Sequence, residues 1–349
     1  MPHAQNSQSS PSAVLIGAAL IGASRIWGRV GLTLALAAAN VLTCSAWAAD
    51  AWPSRAITLV VPFAAGGGVD NVARSLAAQM SQNLQQPVVV ENRVGAGGMV
   101  GAKYVANSAP DGYTLLMGTQ TTLAVVPLLT PSAAFNPLIA FAGVSQVGSS
   151  PMLLVTHPSL KVKSVSELLA RAKERPGELN FGSGGVGTTT HMAAALLGVM
   201  GNTRMTHVAY KGEQPALSDL MGNHIQWMFS NVPAAMPLVK SGRLQALAIS
   251  SEQRSLTAPE VPTVAESGLA GFEAGTWFVV VAARETPRPV LERLSAEVGK
   301  ALDSLELQQR LQAQGLTVQK STPAQSDKYL AREYEKWGRV IKESNISTD

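Results

Sequence analysis

The sequence predicts an α/β protein of two domains, the first of them discontinuous. Three observations carry this. Two series of short β-branched runs alternate with helical stretches, one ahead of residue 150 and one after it. A strand-like run, Phe272 to Ala283, then returns after the second series and leads into a helical tail. The chain is also long and apolar, with 349 residues, 46% of them apolar and 14% charged. A disordered chain of that composition would leave too much apolar surface in water, and a single core stops growing near ~250–300 residues.

In chain order, the first element is a leader. Val30 to Ala49 is apolar, follows Arg25 and Arg29, and ends in Ala46-Trp47-Ala48, the pattern of a cleaved secretory signal over residues 1–48. Asn40, Thr43, Cys44 and Ser45 interrupt the run, whereas a membrane-spanning helix wants ~20 mostly apolar residues. The expected location is outside the cytoplasm. Cys44 is the one cysteine, and Thr43 before it fits a lipoprotein cut poorly. The processed chain of 301 residues therefore has neither disulfides nor cysteine-ligated metal. Without Arg25 and Arg29, the 27 basic residues become 25 against 23 acidic, a net of +2. With no Lys/Arg cluster there is no footprint for nucleic acid.

The first α/β series begins with Ala56 to Phe63, a buried strand leading into Gly66-Gly67-Gly68. Val69 to Leu84 follows as a helix with Val72, Leu76, Met80 and Leu84 on one face. Pro87 to Glu91 is the second strand, followed by Gly95, Gly97 and Gly98 and a helix to about Ser108. Asp111-Gly112 turns the chain into a third strand, Tyr113 to Met117. Such a series implies a parallel sheet with right-handed crossovers.

The second series opens with the strand Pro151 to Thr156 and a capping box, Ser164 to Glu167, starting a helix to Lys173. Leu179 to Gly182 is a strand, followed by a glycine-rich turn and a helix from Thr188 to about Met200. Met205 to Ala209, Ile225 to Phe229 and Leu244 to Ser250 are further strands, with the helix Gln214 to Met221 and the turn Gly222-Asn223 between. Pro289 to Leu302 and Pro323 to Lys342 are tail helices, docked by Tyr329, Tyr334 and Trp337. The domains are therefore expected at 50–150 with 276–349, and at 151–275. The segments crossing between them would lie near Ser149–Met152 and Gly275–Phe278.

Two glycine-rich strand-to-helix turns carry the chemistry: Ala64-Ala65-Gly66-Gly67-Gly68-Val69-Asp70 and Gly182-Ser183-Gly184-Gly185-Val186-Gly187-Thr188. Each leaves backbone N–H groups uncovered at a helix N-terminus, where the macrodipole favours an anion. Either turn alone is compatible with ordinary packing. No G-x-x-x-x-G-K-[ST] occurs; Gly182-x-Gly184-x-x-Gly187 has dinucleotide spacing, but export away from nicotinamide pools argues against that use. His157, His191, His207 and His224 include no i,i+4 pair and no H-E-x-x-H, and no G-x-S-x-G elbow appears. No metal, cofactor or catalytic group is expected. His191 either pins its helix to neighbouring backbone or orders the loop and ligand. Asp70 either complements the helix dipole or accepts a hydrogen bond from ligand or water. Lys211, after Tyr210, is either solvated or faces the cleft, and Trp227, Phe229 and Trp277 are core or cleft-wall residues.

Taken in order, these residues resemble one family. Trp52-Pro53-x-Arg55, Val61-Pro62-Phe63-x-Ala65-Gly66-Gly67-x-x-Asp70, Val90-Glu91-Asn92-Arg93-x-Gly95-Ala96-Gly97-Gly98 and Pro110 to Leu115 are similar to the receptors of tripartite tricarboxylate transporters, also called Bug receptors. The likeness continues through Gly182 to His191, Tyr210-Lys211-Gly212 and Pro259 to Gly268. It implies a two-domain periplasmic solute-binding fold of type II character, with a ligand cleft between the domains and two crossing hinge strands. It implies no catalysis. A small carboxylate would be held by loop amides and ordered water, with Phe63, Ala64, Gly66, Gly67 and Asp70 from the first domain. Ser183, Gly184, Gly187, Thr188 and His191 would come from the second, with Tyr210 and Lys211 nearby.

The partners implied are permease subunits of such a transporter, and the receptor is expected as a monomer. A receptor presenting its ligand to a sensor kinase, an exported α/β enzyme, and a ligand-free structural or adhesion protein are the alternatives. The chain departs from the family at Ser230, where Asp is usual; if that position touches ligand, recognition of an amine there is weakened. Phe135 to Phe141 also lacks the usual charged residues, which points to an altered surface.

Overall fold

The computed structural model describes residues 52–130, 135–255 and 258–347. The expected signal segment, with Cys44, lies outside them. The chain divides after Ser54, and the unit from Arg55 to Asp349 is the one described below.

The first α/β series folds as the pattern predicts. β1 (Ile57–Val61), β2 (Val88–Asn92) and β3 (Thr114–Thr119) are parallel, in the order β2-β1-β3, with Leu59 opposite Val90 and Leu115. α1 (Gly68–Leu84) buries Val72, Leu76 and Met80 on one face and leaves Leu84 half-buried. α2 (Met99–Ala106) joins β2 to β3, and the turn at Asp111 is closed by the Tyr113 N–H donating to Asp111 Oδ1 at 3.1 Å. After β3, one π-helical turn (Thr121–Val125) runs into α3 (Val126–Leu129), and α4 (Pro137–Ala140) precedes the next strand.

That strand, β4 (Phe141–Thr156), starts ten residues before the expected Pro151. Its first half, with Gly143, Ser145, Gly148, Ser149 and Ser150, has the composition of a loop. Tertiary neighbours make it a strand. β9 (Gly275–Ala283) pairs with it antiparallel from Phe141 to Pro151, with register shifts at Gly143/Ser145 and Gln146/Gly148. Gly143 is required for space: a Cβ there would stand 2.5 Å from Ser326 Cβ and 3.1 Å from Asp327 N. Its own N–H donates to Asp327 Oδ1 at 2.8 Å. Both of those residues belong to α11 (Pro323–Glu343), the long tail helix.

From Met152 onward β4 changes partners, pairing antiparallel with β7 (Trp227–Asn231) and β8 (Gln245–Ile249). Beyond β7 lie β5 (Asn180–Ser183) and β6 (Thr206–Ala209), all three parallel, which completes the order β2-β1-β3-β9-β4-β7-β5-β6. The sheet is therefore mixed: β1, β2 and β3 are parallel, as are β5, β6 and β7, but β4, whose end was expected to open the second series, runs antiparallel to β7 and β8, and β9 runs antiparallel to β3 and β4. β9 is buried from Trp277 to Ala283, as suits a strand covered on both faces.

The helices of the second half are α5 (Val165–Glu174), α6 (Thr189–Gly201), α7 (Glu213–Met221) and α8 (Val232–Lys240). At the start of α5, Ser164 accepts from the Glu167 N–H, but the Glu167 carboxylate reaches one residue beyond the cap to the Lys163 N–H, 2.8 Å away. The expected reciprocal box is thus only half made. α8 carries two prolines: Pro233 occupies the first turn, where its missing donor is harmless, and Pro237 is tolerated inside.

The tail consists of α9 (Arg288–Leu302), α10 (Leu305–Ala313), the short β10 (Thr317–Val318) and α11. Trp337 docks α11 and is fully buried. Glu333, on the same helix and equally buried, accepts from two indoles, Trp277 Nε1 at 2.8 Å and Trp337 Nε1 at 2.9 Å. Lys336 completes the cluster, 2.6 Å from the other Glu333 oxygen. Trp277 lies opposite Ser149 where β9 and β4 pair, so α11 is fastened to a crossing strand.

Candidate functional site

In open α/β sheets the carboxyl ends of parallel strands, with the helix N-termini that follow them, form the binding edge. Here β1 ends at the first glycine turn and β5 at the second. Gly187 of the second turn packs on the segment after β3: a Cβ there would lie 2.9 Å from Leu129 Cδ1 and 3.6 Å from Val125 Cγ1. The same segment touches the glycines after β2, since a Cβ on Gly97 would stand 2.7 Å from Val126 Cγ2. Because β1 and β3 are parallel neighbours, the two turns share one edge of the molecule.

The first turn is built around Asp70, which is 1% exposed. Its Oδ2 accepts from the Gly66 N–H and from Arg74 Nε, both at 2.8 Å, and its Oδ1 from Asn92 Nδ2 at 2.9 Å. Asn92 also donates to the Phe63 carbonyl at 3.0 Å, tying the end of β2 to the start of the turn. Burial works to raise the Asp70 pKa, but the hydrogen bonds from Arg74, Gly66 and Asn92 outweigh it and hold the carboxyl at about 2. Ala64 to Gly68 are exposed, and Gly67 caps α1 without a side-chain hydrogen bond to its first amides. The Gly67 N–H points back to the Ala64 carbonyl, a long contact of 3.4 Å.

The second turn is closed more tightly. The Gly184 N–H donates to Thr190 Oγ1 at 3.0 Å, the Gly185 N–H to Ser183 Oγ at 3.1 Å, and the Gly187 N–H to His191 Nδ1 at 3.1 Å. Thr188 caps α6 by accepting from the His191 N–H, while its hydroxyl donates to the Gly185 carbonyl. Positive φ at Gly185 (+128°) and Gly187 (+73°) is what admits this coil. Behind it, Ser183 Oγ shares a 2.6 Å hydrogen bond with His207 Nε2, and the His191 and His207 rings stack 3.8 Å apart. Desolvation, reinforced by the neighbouring His207, lowers the His191 pKa to about 3, and desolvation lowers His207 as well. His191 is therefore a neutral acceptor for the Gly187 N–H, a bond that both pins its helix to neighbouring backbone and orders the loop.

Tyr210 and Lys211 follow β6. The Tyr210 hydroxyl donates to Asp219 Oδ2 at 2.7 Å, and burial with this carboxylate pushes its pKa up to about 12; Lys211 is exposed. Next to them stands a residue that sequence reasoning missed. Glu213 opens α7 and accepts from Ser230 Oγ at 2.6 Å, from the Asn231 N–H at 2.7 Å and from Asn231 Nδ2 at 2.5 Å. A Cβ on Gly184 would lie 3.5 Å from the Glu213 backbone nitrogen, so the start of α7 borders the second turn. The one signal in the sequence was Ser230, singled out there as a departure, which here donates to the Glu213 carboxylate.

The family profile described as "Tripartite tricarboxylate transporter family receptor" matches residues 72–346. The chain belongs to this receptor family. Protein BugT of Bordetella pertussis is 40% identical over 297 residues, covering 85% of this chain and 91% of that protein. Among solved structures, Rpa4515 of R. palustris with adipate is 34% identical, with a TM-score of 0.68 over 85% of this chain and 99% of its own. MatC from Rhodopseudomonas palustris with bound malate is also 34% identical, with a TM-score of 0.65 over 83% of this chain and 100% of its own. The fold of this receptor is accordingly the two-domain periplasmic solute-binding fold. Among its described residues no helix is long and apolar enough to cross a membrane, and no three His, Cys, Asp or Glu side chains gather as a metal site.

Proposed function

We propose that this receptor, exported by its leader, binds a small carboxylate between its two domains and delivers it to the permease of a tripartite tricarboxylate transporter. The domains are taken as 50–150 with 276–349, and 151–275; β4 changes sheet partners between Pro151 and Met152, as such a division requires. The observation that carries the reading is the packing of Gly187 against Val125 and Leu129, which sets two helix N-termini on one edge. The adipate and malate bound to the two R. palustris relatives supply the ligand class. The N-terminus of α1 is the leading subsite: its amides lack a side-chain cap, and Arg74 neutralises the only acid in its first turn. Asp70, Ser183 and His191 shape the turns, and Glu213 with Ser230 and Asn231 lies where a ligand hydroxyl or amine would be read. A micromolar Kd corresponds to about −8 kcal/mol, within the reach of a few charge-assisted amide hydrogen bonds and a desolvated ligand.

Calorimetry with adipate and malate tests this. Gly67→Val should weaken binding about tenfold or more by obstructing the amides at the start of α1, and Gly184→Val should do so by adding bulk to the second turn, whose glycine amides are already paired. Both should fold, since neither glycine has positive φ and added Cβ atoms would meet their nearest neighbours at 3.4 and 3.5 Å. Unchanged affinity in both variants would overturn the two-turn account, and turnover of either acid would favour an enzyme.

A further inference from the structure

A cavity of about 880 Å³ lies on the far side of the histidine pair, between α5, α6, β5, β6 and the end of α11. Of the residues assigned to the carboxylate cleft it touches His191 alone. Its volume falls within the ~300–1,000 Å³ typical of small-molecule sites. One wall is made of nearly parallel rings: His191 on His207 at 7°, and Phe181 5.0 Å from His207 at 20°. Burial keeps both imidazoles neutral, so this wall is aromatic and uncharged. The rim differs in character. Among the described lining residues Lys173 and Arg204, both exposed, stand there with Glu343 as the one acid. Thr203, also in the lining, has a buried hydroxyl with no hydrogen-bond partner among the described residues.

We propose that this cavity is a second binding site, for an aromatic carboxylic acid whose ring lies on the histidine–phenylalanine wall and whose carboxylate meets Arg204 and Lys173. The site is joined to the carboxylate cleft by two hydrogen bonds, Gly187 N–H to His191 and Ser183 to His207. A guest that moves the ring pair therefore moves the second glycine turn, and the coupling must be reciprocal: whatever factor the aromatic acid applies to the cleft ligand, the cleft ligand applies to the acid.

The test uses 2-naphthoate as probe, with proton NMR of the histidine rings and fluorescence titration as readouts. Binding should saturate and shift the His191 and His207 ring signals with or without adipate present. Arg204→Glu, an exposed change outside the cleft, should weaken naphthoate by about tenfold, the scale of one charge-assisted contact, while adipate affinity stays the same. Val199→Trp should fill the cavity and abolish naphthoate binding. Absence of binding at millimolar naphthoate, or binding that adipate displaces and Arg204→Glu leaves untouched, would overturn the proposal. Failure of adipate to bind, with naphthoate still bound and sensitive to Arg204, would count against the cleft reading and leave the second site standing.

Discussion

Asp70 and His191 hold their glycine turns in shape by opposite electrostatic means, and the two respond to acid differently. Asp70 is a buried carboxylate held down to about 2 from its ordinary 3.8. Its folded pKa lies below the unfolded one, so its contribution is complete above about pH 4 and is lost as the pH falls towards 2. That shift corresponds to about 2 kcal/mol. Asp70→Asn should therefore be less stable than the parent in urea at pH 7 by about that amount, with the gap narrowing as pH drops from 4 towards 2. His191 is a base kept neutral, with a pKa of about 3 against 6.5 in the unfolded chain. Its stabilisation is complete above pH 6.5 and drains away below it, because the unfolded chain takes up the proton first. His191→Gln, which keeps an acceptor for Gly187, should flatten the loss of stability between pH 6.5 and 4; an unchanged slope would show that His191 is not the group responsible.

At the level of elements, the sequence was most informative where period and punctuation agree. α1 with Val72, Leu76 and Met80 on one face, and strands closed by glycine turns, were legible because the pattern is local. The first half of β4 was not. Nothing in Phe141 to Ser150 marks a strand, and it becomes one through its ladder with β9 and the helix laid against Gly143. Gly143→Val should destabilise the protein by about 2–3 kcal/mol, since the new side chain meets Ser326 and the backbone of Asp327. Urea unfolding measures it, and a neutral result would mean that α11 can shift freely on the sheet. The candidate site divides in the same way. Both glycine turns could be read as anion-facing, but that Gly66, Gly184 and Gly187 commit their N–H groups inside the turns could not, because Asp70, Thr190 and His191 accept them only once α1 and α6 have formed. Glu213 was invisible for a similar reason: an acid at the start of a helix needs no partner to explain it, and Ser230 and Asn231 reach it only through the fold.

For the whole molecule, the decisive feature is that β4 and β9 run through both halves side by side from Phe141 to Pro151. If ligand closes the two proposed domains on each other, that closure has to bend this pair. Trp277 lies on it, opposite Ser149, with its indole N–H held by Glu333 on a helix packed against β4. Bending the pair therefore alters the distance from one fixed indole to one buried negative charge. Adding adipate should shift the tryptophan emission, and Trp277→Phe should abolish the shift while leaving adipate affinity intact. An identical shift in the variant would trace the signal to another indole. The carboxylate that fastens the tail to the crossing strand would thus give the proposed closure a built-in, label-free gauge.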